Sequence, residues 1–192
     1  KTDVESIERG SVFTFHLRPG VRWHDGHPFD ANDVAFSWRI YGNPGVDCGE
    51  RRSSFLKIVK VEVTDYLTVR FTSGHQYYNA MDTLGDMCIL PAHLYDLADP
   101  DNVDGQRERA ADPAWRASAE EEAEYVNKNP HNRDWVGLGP YRLARWTADG
   151  LEAVRFDGYF DPKNAGFFDE IRWRAIPDAE AAFQAALNGE LD

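Results

Sequence analysis

A mixed α/β fold is predicted by three features of this sequence. Short segments alternate apolar and polar residues, as at Phe13, Phe15 and Leu17 against Thr14, His16 and Arg18; that period marks a strand with one buried face. Pro-Gly and Asp-Gly pairs punctuate these segments, at Pro19-Gly20, Asp25-Gly26 and Asp149-Gly150, where glycine accepts the positive φ that turns demand. Aspartates then precede helical runs, at Asp30 and Asp178.

The elements follow in order. After the strand at residues 13–18 and its turn, Asp30 is placed to cap a helix. Its carboxylate can accept the free N–H groups two and three residues on, a contribution of about 1 kcal/mol. Asp33 adds negative charge near the positive end of that helix. Phe36 and Ile40 recur at helical spacing, with Val34 and Trp38 beside them, and Trp23, Phe36 and Trp38 read as core. Residues 41–54, rich in Gly, Pro, Asn and Asp, form a loop. Val59, Val61 and Val63 then alternate with polar residues, Asp65-Tyr66 turns the chain, and Val69 and Phe71 return, which predicts a hairpin. Short helices are expected over 76–84 and after Pro91. Residues 96–134 are acidic and polar and read as a surface excursion. A helix is expected within it over 114–126, with Glu120, Glu121 and Glu122 on a solvated face. A second hairpin spans 141–156, a strand covers 170–176, and a helix at 179–187 ends at Asn188-Gly189. Buried positions are expected at Phe13, Phe15, Trp23, Phe36, Trp38, Val61, Phe71, Tyr141 and Trp173.

Composition bounds the function. The chain has 192 residues, 42% hydrophobic and 13% aromatic, enough for a core. Its net charge of −12 argues against nucleic acid as a partner and against anionic membranes. No apolar run approaches the length of a membrane span. The two cysteines, Cys48 and Cys88, make neither a disulfide framework nor a zinc site. They read equally well as one disulfide or as two free thiols.

Catalytic chemistry finds no motif. His24, Asp25 and His27 share one turn but lack a further strong ligand, so no metal site and no cofactor is expected. Ser37 falls within a helix and lacks a nucleophile elbow. Among 33 acidic residues, no pair stands out for glycoside hydrolysis. Arg51 and Arg52 are suited to meeting a carboxylate in bidentate fashion. Trp135 and Trp146 can either stack on a solute or support a hairpin.

The segment FTFHLRPGVRWHDGHPFDANDVAFSW at residues 13–38 resembles YTFHLRPGVKWHDGTPFTADDVVFSW of the family 5 extracellular solute-binding proteins of bacterial ABC importers. Further blocks match in the same order: KVEVTDYLTVRFT resembles VEVVDDYTVRF, and ILPAHLY resembles ILPKHIY. VGLGPYRLARWTADG is similar to VGTGPYRLERWEPG, and FFDEIRWRAIPDAEAAFQAALNGELD to YLDEIRFRIIPDATARLQALLSGEID. Leu138 departs from the threonine of the family's GTGPY, residues 156–160 lack its Asn-Pro turn, and 96–134 match poorly.

The resemblance implies part of the first lobe of a periplasmic-binding-protein type II fold, as an internal piece of a longer chain. Residues 1–134 would be the smaller subdomain of that lobe, with the acidic excursion at 96–134. Residues 135–192 would be a segment of its main sheet. It implies a non-catalytic receptor that captures oligopeptides, nickel complexes or oligosaccharides between two lobes and delivers them to an ABC transporter permease. Such a receptor is periplasmic, or held at the cell surface by a lipid anchor. The loop after the first helix would approach the cleft, which points to Asp47, Cys48, Glu50 and Arg51 as ligand-binding residues. The alternatives are a ligand-sensing module of a regulator on the same fold, or a hydrolase. As a partial lobe, the chain is expected to self-associate through exposed sheet edges and to bind solutes no tighter than about 1 mM.

Overall fold

Two antiparallel sheets carry the chain, and both are made of the alternating segments. The computed structural model describes residues 1–7 and 9–191. The first sheet contains β1 (Thr2–Ile7), β2 (Gly10–His16), β3 (Ile58–Asp65) and β4 (Thr68–Ser73), in the order β1-β2-β4-β3. Phe13 pairs with Phe71 and Phe15 with Val69, while Val61 and Val63 meet the same two residues from the other side. These residues share one face, because opposed residues on neighbouring strands project the same way. Phe15 and Phe71 meet edge to face at 5.6 Å. That face joins a core with Val34 and Tyr41 of helix α1 (Ala31–Gly42) and with Phe55 of α2 (Arg51–Phe55).

The register corrects one expectation. A shift in pairing between Ile58 and Lys60 turns Val59 outward, where it is 64% exposed, while Ile58 is buried in its place. A bulge of this kind breaks period-2 counting by one residue.

α1 starts at Asp30, as its sequence predicts, and Asp33 completes a reciprocal capping box. Asp33 does more than face a helix dipole. It is buried, and its carboxylate accepts from Asp30 N (3.0 Å), Trp23 Nε1 (3.1 Å) and Ala92 N (2.8 Å). Burial pushes its pKa up, against the pull of those donors. One carboxylate therefore ties the Trp23 turn, α1 and α4 (Ala92–Tyr95) together. Ser37, beside it, donates to Asp33 O and accepts from Leu90 N, so its hydroxyl is committed to the fold.

The 96–134 stretch is not an irregular loop. It holds α5 (Val103–Ala111), capped by Asn102, and α6 (Ala119–Lys128), capped by a Ser118–Glu121 box. The cap moves the second helix later than its composition suggested. Ala123 and Val126 of α6 pack with Phe36, Ile40, Val46, Ala92 and Tyr95 in a second core. Nor is the glutamate run wholly solvated. Glu122 lies 2.8 Å from Arg39, which also binds Asp96 at 2.8 Å.

The second sheet contains β5 (Tyr141–Thr147), β6 (Gly150–Arg155) and β7 (Glu170–Arg174), in that order, followed by α7 (Ala179–Leu187). α3 (Ala80–Gly85) completes the helices. Among the residues expected in the core, Phe13, Trp23, Phe36 and Phe71 are buried, and Phe15, Trp38, Val61 and Tyr141 are half-buried. Trp173 is the exception, at 52% exposed. Alternation sets the side to which a strand residue points, not whether another layer covers that side.

Candidate functional site

The loop between α1 and α2 forms one wall of a concavity of about 430 Å³ lined by Tyr41, Val46, Asp47, Cys48, Cys88 and Asn127, among others. Asp47 and Cys48, two of the expected ligand-binding residues, are thus brought together here. The Asp47 carboxylate is exposed, and the Cys48 side chain is half-buried against both cores. Both cysteines are free thiols.

Glu50 and Arg51 are not part of that lining. Glu50 precedes α2 without capping it through its side chain. Arg51 lines a separate concavity with Phe55, Asn79 and Asp86, and its Nη1 donates to Cys88 Sγ, at the edge of the first, at 2.9 Å. Arg52 is committed too. Its guanidinium donates to the carbonyls of Tyr41 (2.8 Å), Asn43 (2.5 Å) and Val46 (2.5 Å). Arg52 is thereby committed to backbone carbonyls rather than offered to a carboxylate. Carbonyls at the end of α1 need donors, and Arg52 supplies them.

The turn bearing His24, Asp25 and His27 is built as a set of ties rather than as a ligand cage. His24 Nδ1 accepts from Gly137 N at 3.2 Å and its Nε2 donates to Gly139 O at 2.9 Å. Both roles are met by a neutral imidazole, and burial lowers its pKa. Asp25 accepts from His93 Nε2 at 2.7 Å and from His27 N at 2.9 Å. Burial opposes its charge, but those two donors outweigh it and hold the carboxyl below its usual range.

His27 stacks on His93 with ring centroids 3.8 Å apart. Its Nδ1 faces Pro28 O and its Nε2 faces Asp101, two acceptors that favour the doubly protonated ring. Burial works against that charge; the hydrogen bonds to Asp101 and Pro28 prevail and raise the pKa. Among the described residues, no group of three or more His, Cys, Asp or Glu side chains is placed to hold a metal ion.

Trp135 and Trp146 meet edge to face at 5.5 Å, an arrangement in which each ring supports the other. No helix among the described residues is long and apolar enough to cross a membrane.

Residues 2–192 match the family model described as bacterial extracellular solute-binding proteins, family 5 Middle. The oligopeptide-binding protein AppA of Bacillus subtilis is 26% identical over 98% of this chain, which spans 31% of that protein. The glutathione-binding protein GsiB of Pectobacterium atrosepticum is 28% identical over 94% of the chain and 30% of its own length. Among solved structures, NikZ from Campylobacter jejuni in complex with Ni(L-His) superposes with a TM-score of 0.74 at 24% identity, covering 99% of this chain and 33% of that one. The chain therefore spans about a third of the length of the relatives it matches.

Proposed function

We propose that this chain, which belongs to the bacterial extracellular solute-binding proteins of family 5, is a lobe segment of a non-catalytic receptor that delivers small solutes to an ABC transporter permease. The observation that carries the reading is the family match over residues 2–192, coupled to a concavity walled by the loop that follows α1. Relatives named for peptides, glutathione and a nickel–histidine complex support oligopeptides or nickel complexes as the solute class. Oligosaccharides are a further class on the same frame.

The lobe divides near residue 134, between the region of the first sheet and the segment of the second. Asp47 and Cys48 face the solute, and Glu50 and Arg51 stand at the margin of the same loop. A second lobe closes over the solute, since contacts to both lobes are what can drive closure. The whole receptor works outside the cytoplasmic membrane, in the periplasm or on a lipid anchor at the cell surface.

By itself the 192-residue chain self-associates. Phe167, Phe168, Phe183 and Leu187 are exposed, and clustered exposed apolar side chains are what interfaces cover. Sedimentation of the chain alone tests this; a strict monomer contradicts it. For the receptor reading, the full-length protein is screened by thermal shift against a peptide library, nickel–histidine and oligosaccharides, with wild type and Asp47→Ala in parallel. A stabilising solute whose effect is lost in Asp47→Ala is expected. A stabilising solute indifferent to Asp47 would remove this concavity from the account.

A further inference from the structure

Cys48 and Cys88 are far apart in sequence and face one concavity. Cys48 comes from the loop between α1 and α2, Cys88 from the segment between α3 and α4, and both line the same space as free thiols. The chain is anchored next to each of them. Asn127 Oδ1 accepts from Asp47 N at 2.8 Å, just before Cys48. Ser37 Oγ accepts from Leu90 N at 2.8 Å, just after Cys88. The cysteines themselves lie outside helix and strand. Side-chain rotation and a small shift of irregular backbone are then enough to bring two sulfurs to bonding distance.

The two sulfurs differ in setting. Cys88 is exposed, and Arg51 Nη1 donates to its Sγ at 2.9 Å. An accessible sulfur beside a guanidinium is the setting in which thiols exchange, whereas sulfurs shut into a core stay inert. Tyr41 stands close by: burial first, and then Cys88, raise the pKa of its phenol. Cys48 is half-buried against both cores, so it is less open to a molecule arriving from solution.

We propose that Cys88 and Cys48 form a dithiol redox site that reacts with low-molecular-weight disulfides, with Cys88 as the attacking thiol and Cys48 as the resolving one. The Cys88 thiol gives its proton to water, and its sulfur attacks one sulfur of the small disulfide. That S–S bond breaks, a mixed disulfide forms on Cys88, and the first small thiolate leaves and takes up a proton. Cys48, deprotonated in turn, attacks the Cys88 sulfur and expels the second small thiolate. The cysteine pair has lost two electrons, and the small disulfide has become two thiols. The product bond joins the α1–α2 loop to the chain ahead of α4. One of its sulfurs stays accessible, so an excess of small thiol reverses the sequence. The exchange requires no solute in the concavity and does not depend on the receptor reading. That reading supplies only a compartment in which disulfides persist.

The test uses the reduced full-length protein at neutral pH, with glutathione disulfide as the probe and mass spectrometry of the non-reduced digest as the readout. Wild type is expected to yield a Cys48–Cys88 cross-linked peptide, and to return to two thiols under excess reduced glutathione. Cys48→Ser is expected to stop at a mixed disulfide on Cys88. Cys88→Ser should leave Cys48 unreacted over the same time. In the Cys48→Ser background, Arg51→Ala is expected to slow the mixed disulfide several-fold at an unchanged thermal midpoint, and Arg51→Lys to restore part of the rate. A stable mixed disulfide on wild-type Cys88 without a cross-link would overturn the resolving role of Cys48. Equal rates at Cys48 in Cys88→Ser and at Cys88 in Cys48→Ser would overturn the order of attack. An unchanged rate in Arg51→Ala would remove the guanidinium from the site. No reaction at either sulfur, or a cross-link that excess glutathione fails to reverse, would overturn the redox site itself.

Discussion

The first sheet with α1 and the second sheet with α7 are written in the same sequence grammar but reach different ends. In the first, the central inward positions are covered: Phe71 and Val69 are buried beneath α1, and Trp23 is pinned by Asp33. In the second, Trp146, Trp173 and Phe183 alternate or recur just as regularly and stay about half exposed. The difference teaches that a strand's pattern encodes a face, whereas burial depends on what the rest of the protein lays upon it. It also separates the concavity, whose wall is braced by two cores, from a region whose apolar surface remains available.

The sharpest way to break that comparison is truncation. Trp23→Ala should cost about 3–5 kcal/mol in denaturant unfolding of the full-length protein, as loss of a fully buried aromatic does. Trp173→Ala in the isolated chain should stay within about 1 kcal/mol, since few packed atoms are lost. Equal costs would erase the distinction. Next in size, Asp33→Ala leaves the donors of Trp23, Asp30 and Ala92 without their acceptor. A loss of about 2–3 kcal/mol is expected from unsatisfied buried groups, read from the shift in urea midpoint at constant slope.

Smaller still is the pH dependence of the ties around His27. Its folded pKa lies above the ordinary 6.5. The stability it contributes is therefore complete below pH 6.5 and is lost as pH rises through the folded value. Asp25 runs the other way: with a folded pKa below 3.8, its contribution is complete above pH 3.8 and is lost as pH falls through the folded value. His93 stacks on the same imidazole, and Asp101, Asp25 and Asp99 are its charged neighbours. His27 is partly exposed, so screening holds its share below about 1 kcal/mol. His27→Gln should flatten the loss of stability above pH 6.5 in thermal melts, and leave the second sheet's exchange rates alone. An unaltered pH profile would show that the stacked pair contributes nothing.

Much of the local structure was legible because it is written in neighbouring residues. Asp30 caps α1, Asp65-Tyr66 and Asp149-Gly150 turn the two hairpins, and Asp178 opens α7 with bonds from Glu180 N and Ala181 N. The capping box also lay open to reading, since Asp33 falls three residues after Asp30. The site was less legible. Asp47 and Cys48 were reached through the family resemblance and not through any motif of their own. Asn127 lies 80 residues from Asp47, and Gly139 lies 115 from His24. Such contacts leave no periodicity in the chain. The role of Arg52 is hidden for a related reason: a surface guanidinium and one that caps carbonyls look alike until the loop is folded around it. α5 went unseen because it buries little beyond Gly105 and so carries no apolar stripe.

Hydrogen exchange on the full-length protein, with and without the best-binding peptide of the library, tests the central claim most directly. If the α1–α2 loop walls the solute site, amides of residues 45–48 and 126–128 gain protection on binding, while those of β1 at the outer edge of the first sheet do not. Protection confined to segments away from that loop would contradict the account.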